Sequence, residues 1–217
     1  MTLILALKRA ETIYYVGDTA ISEWISIRGM PPIFENISDN SIKIHQSSTQ
    51  PTVVYAYRGW TDIYNEHHFE QTIARNPFNY KTKTAQVISS IIAQQENEPP
   101  SSRINLTYII GETSRTKAQL LTNSVHTNGA WAEQTHHAIG RGAYAHTQVE
   151  LGRIASTATT GEIIPQMREL LAQTKTYERR VEQNPVLFGE FIGIQHQDML
   201  KTEMTSCALT EYHRWRK

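Results

Sequence analysis

From its third residue the chain alternates with the two-residue period of a strand: Leu3, Leu5 and Leu7 fall on one side, Ile4, Ala6 and Lys8 on the other. A polar turn, Arg9-Ala10-Glu11-Thr12, follows. Ile13 to Val16 is then a β-branched and aromatic run that stops at Gly17-Asp18. The pattern predicts a hairpin whose second strand returns Asp18 to the neighbourhood of the amino terminus. An end built as an apolar strand is tied down, where chain ends normally fray.

Periodicity lapses from Glu23 to Asn40, a stretch interrupted by Pro31-Pro32, and predicts a loop with at most a short strand. Alternation returns in Ser41-Ile42-Lys43-Ile44 and in Thr52 to Tyr57, a second hairpin around a polar turn. Helices are expected over Thr61 to Arg75, ended by Asn76-Pro77, and over Lys83 to Gln95, where Val87, Ile88, Ile91 and Ile92 share a side. Arg103 to Gly111 and Gln119 to Thr122 read as paired strands. Asn128-Gly129 marks a turn within Val125 to Glu133. His136 to Ala145 reads as the head of a helix reaching about Ser156. A further helix from Thr160 to about Arg180 carries an apolar stripe of Ile163, Ile164, Met167, Leu170 and Leu171, and Phe188 to Gln195 is the last strand.

Composition narrows the class. A chain of 217 residues without a Gly/Ser or Pro-rich linker suits a single domain over residues 1–217. Lys plus Arg and Asp plus Glu number 21 each, so no charge excess recommends nucleic acid or an acidic membrane as partner. Cys207 is the only cysteine, which excludes an internal disulfide and fits the reducing cytoplasm. The apolar run Leu3 to Leu7 is too brief for a signal segment or a membrane span. His67-His68 and His136-His137 are adjacent pairs whose side chains diverge, and no His-x3-His or Cys-x2-Cys spacing occurs, so neither metal nor cofactor is expected. Gly140-x-Gly142-x-x-Ala145 has the letters of a dinucleotide fingerprint, but it follows hairpins rather than the first strand of a βαβ unit. The basic, aromatic end from Tyr212 to Lys217 is either a docking tail or a frayed one.

The second residue is Thr2, small enough for Met1 to be trimmed by a methionine aminopeptidase. A free α-amino group has a pKa of about 7.7 to 8.0, so near neutrality it can take the proton of its own side-chain hydroxyl. With this hairpin the chain resembles proteasome β-type subunits and their bacterial relatives, which are N-terminal-nucleophile (Ntn) hydrolases. Laid on that pattern, Thr2 matches the nucleophile, Asp18 the acid that orients the active-site lysine, and Ser22 the strand lining the substrate groove. Lys43 matches the catalytic lysine, ahead of a strand that ends in a glycine-bearing turn. Gly59 is the natural match for the oxyanion-hole turn, with Arg58 and Tyr57 as alternative alignments.

Two positions depart from the family pattern. Arg141 stands where a Gly-Ser-Gly turn carries a serine; an arginine there either stabilises developing negative charge or fills the site. Glu182 falls near the family aspartate and Asn184-Pro185 near the serine that support the nucleophile's amine. The resemblance implies an α+β fold, a four-layer αββα sandwich of two antiparallel sheets between helices. It further implies a threonine-type peptidase or amidase acting on peptide or other amide bonds, assembled as a ring or other oligomer, with an unfoldase as a possible partner. The alternative it implies is an inactive structural or regulatory subunit of the same fold.

Overall fold

The computed structural model describes residues 3–19, 21–25, 33–38, 41–58, 66–94, 106–124, 129–140, 145–181 and 189–205. Five antiparallel strands form the first sheet in the order β10-β1-β2-β11-β12: β1 (Leu3–Arg9), β2 (Thr12–Asp18), β10 (His136–Gly140), β11 (Glu190–His196) and β12 (Met199–Thr205). A second antiparallel sheet runs β5-β6-β7-β8-β9, from β5 (His45–Gln46), β6 (Val53–Arg58), β7 (Thr107–Thr113), β8 (Ala118–Ser124) and β9 (Ala132–Gln134). β3 (Ile21–Ile25) and β4 (Ile33–Ser38) pair only with each other. Helices α1 (Glu66–Arg75) and α2 (Tyr80–Gln94) precede β7; α3 (Ala145–Thr157) and α4 (Ile163–Val181) follow β10.

Strand alternation sorts the apolar side chains into three cores, and three cores between sheets and helices make four layers. On β1, Leu3, Leu5 and Leu7 pack with Leu151, Ile154, Met167 and Leu171 of α3 and α4. Ile4 and Ala6 turn the other way and meet Val54, Ala56, Ile109 and Leu120 of the second sheet. Beyond that sheet, Tyr55, Tyr108 and Ile110 pack on Phe69, Ile73, Ile88 and Ile91 of α1 and α2. The unbroken apolar run of β1 follows from burial on both faces. The architecture is the α+β, four-layer sandwich expected from the sequence.

A buried amide joins the sheets. Gln195 of β11 accepts from the Tyr15 hydroxyl at 2.8 Å, and its Nε2 donates toward the carbonyls of Thr52 and Gly111, both at 3.0 Å, and toward Thr113 Oγ1 at 3.1 Å. Burial pushes the Tyr15 hydroxyl pKa well above the ordinary tyrosine value, so it stays a donor. At the sheet edge, Gln148 of α3 donates to the Ala138 carbonyl at 2.9 Å and accepts from its N–H at 3.1 Å, occupying the bonds of a missing neighbour to β10.

Several elements differ from the sequence reading. His136 to Gly140 is a strand paired with β1, not a helix head, and α3 begins only at Ala145. Its period-two burial, Ala138 toward the helices and Ile139 toward the second sheet, is what the edge of the first sheet requires. The expected loop contains the β3–β4 hairpin, with a register shift between Ile21 and Ser22. Ser41 to Ile44 is not strand; pairing begins at His45. β12 has no counterpart in the sequence reading, because Lys201, Thr202, Glu203 and Met204 lie exposed on an edge strand and give no apolar alternation.

Replacing Gln195 by Leu strips partners from the Tyr15 hydroxyl and from two carbonyls, and the expected loss is about 2 to 4 kcal/mol in urea unfolding. A Tyr15→Phe, Gln195→Leu double variant should lose less than the sum of the singles, since one deletion already orphans the other partner.

Candidate active site

The site grows from the end of β2. Ladder pairing between β1 and β2 stops at Ile4 and Gly17. The next N–H of β1, that of Leu3, donates instead to Asp18 Oδ2 at 2.7 Å. Gly17 permits this closeness: a Cβ there would sit 2.6 Å from the Phe191 ring and 2.9 Å from the Leu3 carbonyl oxygen. Asp18 is fully buried, at the start of the chain and directly beside the residue that follows Thr2.

Lys43 arrives from the other sheet's leading segment. The Ser41 N–H donates to the Thr19 carbonyl at 3.1 Å, and Ile44 inserts into the core between the sheets. Between these anchors the Lys43 ammonium is directed onto Asp18 Oδ1 as an ion pair and hydrogen bond. Its side chain is 10% exposed. Burial pushes the Lys43 pKa below the ordinary 10.5; the Asp18 charge opposes that shift, and the positive charge of a second lysine, Lys175, adds to it.

Lys175 comes from α4, and its Nζ lies 2.7 Å from Asp18 Oδ2 with the side chain 1% exposed. The sequence reading missed it. The signal was present in spacing: the stripe Met167, Leu171, Lys175 continues at four-residue intervals, so the helix carries a lysine where its apolar face demands a buried residue. One helical turn further along the stripe finds it.

Of the other candidates, Thr2, Gly59, Arg141 and Glu182 lie outside the described residues. Ser22 lies on β3 opposite Asn36. The residues that immediately precede Gly59 and Arg141 do meet: Arg58 Nη1, at the end of β6, donates to the carbonyl of Gly140 at 3.0 Å. Gly140 has φ 114°, a backbone that side chains disfavour, as β10 ends. Among the described residues no group of three or more His, Cys, Asp or Glu side chains is placed to hold a metal ion. Two surface grooves, one between α1 and α2 and one between α3 and α4, include neither Asp18 nor Lys43.

Two antiparallel sheets between helical layers, with the amino-terminal strand interior to one of them, make an αββα sandwich. Among solved structures the chain is similar to eukaryotic HslV from Trypanosoma brucei, with a TM-score of 0.53 and 12% identity, covering 93% of this chain and 98% of that one. No protein-family model and no curated protein sequence matches the chain. At that identity the likeness speaks for the fold, and any activity has to be argued from the site.

Asp18→Asn leaves two buried ammonium groups without their carboxylate, and should destabilise the protein by about 3 to 5 kcal/mol near neutral pH. Because the folded state disfavours protonated Lys43, the unfolded chain binds more protons between the lowered Lys43 value and 10.5, so this group makes stability rise with pH across that window. In the Asp18→Asn variant the opposing effect of the carboxylate is gone, so the rise should begin at lower pH. Urea midpoints measured from pH ~7 to ~9.5 check both.

Proposed function

We propose that the protein is a threonine-type Ntn hydrolase of peptide or other amide bonds, with Thr2 as nucleophile once Met1 is removed. The observation that carries this reading is the buried Asp18 carboxylate, which bonds the N–H of Leu3, one residue after Thr2, and holds the Lys43 ammonium at the same place. In the proposed step the Thr2 hydroxyl attacks the carbonyl carbon and its proton passes to the Thr2 amine. The amine then returns that proton to the leaving nitrogen as the acyl-enzyme forms, and water releases the acyl group by the reverse proton path. Lys43, kept in place by Asp18, favours negative charge on the attacking oxygen. Backbone N–H groups near Gly59 hold the oxyanion. Ser22 contributes to the substrate groove, Arg141 to the charge near the nucleophile, and Glu182 to support of the amine. The inactive-subunit reading is favoured by Arg141 and Glu182, which replace the family's serine and aspartate.

The reading includes self-association. Phe78 between α1 and α2 is 94% exposed, and Val149 and Tyr177 of the opposite helical layer are 68% and 48% exposed. Apolar side chains on both outer layers, in a chain with no net charge, suit contact between copies. A ring with an unfoldase partner in the cytoplasm is the corresponding working context. Among the described residues no helix is long and apolar enough to cross a membrane.

Intact mass of the purified protein should lack Met1, and a β-lactone or peptide boronate should modify the Thr2 hydroxyl. Thr2→Ala should abolish the modification and Thr2→Ser retain part of it, whereas Lys43→Ala should slow it about a hundredfold or more in a folded chain. A chain that retains Met1 sinks the reading, since the amine is then blocked. If Met1 is absent and labelling fails, renewed labelling in Arg141→Ser assigns the failure to Arg141, and its continued absence favours the inactive subunit.

Mass photometry at micromolar concentration should show assemblies larger than one chain, weakened by Phe78→Ser. A protein that stays monomeric contradicts the assembly part of the reading.

A further inference from the structure

Helix α4 places two cations on the first sheet, seven residues apart on one face. Arg168 pairs with Glu190 of β11, and Lys175 pairs with Asp18 of β2. Glu190 and Asp18 are direct partners in the β11–β2 register, so both acids at this end of the sheet are held from the same helix. The two oxygens of Asp18 are divided between layers: Oδ1 takes Lys43 and Oδ2 takes Lys175 together with the Leu3 N–H.

We propose that Lys175 is a positioning residue of the active site, which holds Asp18 from the helical layer so that the carboxylate stays aimed at both Lys43 and the amino-terminal strand. A purely structural lysine would be an expensive way to cover a sheet. An apolar residue continuing Met167 and Leu171 would fill the space without a buried charge, since buried pairs seldom exceed well-packed apolar groups in stability. With Lys175 present, two ammonium groups share one buried carboxylate, and the charge of Lys175 makes Lys43 easier to deprotonate. The Lys175 charge thereby helps set the pH at which Lys43, whose own charge favours the attacking oxygen in the proposed mechanism, loses its proton, in keeping with the direction of its shift.

Among the described residues, the charged groups at this end include Asp18 from β2, Lys43 from the segment before β5, Glu190 from β11, Arg168 and Lys175 from α4, and Arg58 at the end of β6, whose guanidinium bonds the carbonyl of Gly140, the register partner of Leu3. α3 faces α4 here with Thr147, 3.4 Å from the Thr174 hydroxyl, and with His146, whose ring meets Tyr177. β1 contributes apolar side chains and the Leu3 N–H.

The catalytic meaning of this inference rests on Thr2 being the nucleophile, but the coupling of Lys175 to Lys43 does not, and two readouts separate them. The first is an NMR titration of Lys43 in lysine-labelled protein, assigned with K43R. The second is the pH profile of β-lactone labelling at Thr2. Lys175→Met leaves Asp18 and Lys43 as a balanced pair and should fold. In it Lys43 should titrate at higher pH than in the native chain, and the falling limb of the labelling profile, where Lys43 loses the charge that favours the attacking oxygen, should move to higher pH with it. Lys175→Arg, which keeps the charge, should return both to native positions.

A Lys43 titration unchanged in folded Lys175→Met overturns the proposal, whatever the labelling does. A titration that moves while the native chain is never labelled supports the coupling and removes the Thr2 reading instead. Should Lys175→Met not fold, Lys175→Arg carries the test: its permanent charge should leave Lys43 titrating no higher than in the native chain, and a higher value overturns the proposal.

Discussion

A fully buried carboxylate is tolerated only when its charge and its lone pairs are answered, and Asp18 is answered from three directions. β1 supplies an N–H, the segment leading into the second sheet supplies Lys43, and the outer helical layer supplies Lys175. Three of the four layers therefore converge on one side chain. Each contact also constrains its donor: the start of β1 is drawn against β2, the non-strand stretch 41–44 is tethered, and α4 is fixed in rotation about its axis. Gly17 makes this convergence sterically possible, and the Phe191 ring that would strike a Cβ there closes the space beside it.

The rest of the sandwich serves to keep that convergence rigid. Leu3, Leu5 and Leu7 fix the face of β1 toward the helices, and Ile4 and Ala6 fix the face toward the second sheet, so a slip of one residue would exchange the two cores. Gln195 and Tyr15 lock the sheets in relative position with hydrogen bonds that no apolar contact can imitate in direction. The fold likeness to HslV extends over 93% of the chain despite 12% identity, as expected where layering and pattern are kept and individual residues are not.

Much of this was legible in the sequence, for particular reasons. The first hairpin could be read because β1 and β2 are apolar on both faces and their turn is polar. The stripe of α4 could be read because its period holds for three turns. β3, β4 and β12 could not, since strands that pair at a margin need not carry alternating apolar residues. β10 was obscured by its Gly140 and by Gly142 two positions on in the sequence, whose letters suggest a helix start while Ala138 and Ile139 obey a strand's period. Asp18 and Lys43 were reached through resemblance, and the structure brings them together. Lys175 needed only the helical period carried to the next position, but a lysine is ordinarily assumed to lie on the solvated face, and that assumption hid it.

The position of β1 inside its sheet has a consequence for how the chain comes to life. Its two neighbours are β2, a few residues away, and β10, whose residues are 136–140; beyond β2 lies β11, from 190 onward. Pairings of such sequence separation form late, because a long loop must close before they return any free energy. During synthesis β1 emerges with only its hairpin partner to bind, and Asp18 acquires its helical lysine only once the chain has been made through α4. A nascent chain thus carries the β1–β2 hairpin long before the charges that surround Asp18 are assembled, and the order of translation itself withholds that cluster until the sandwich is nearly closed.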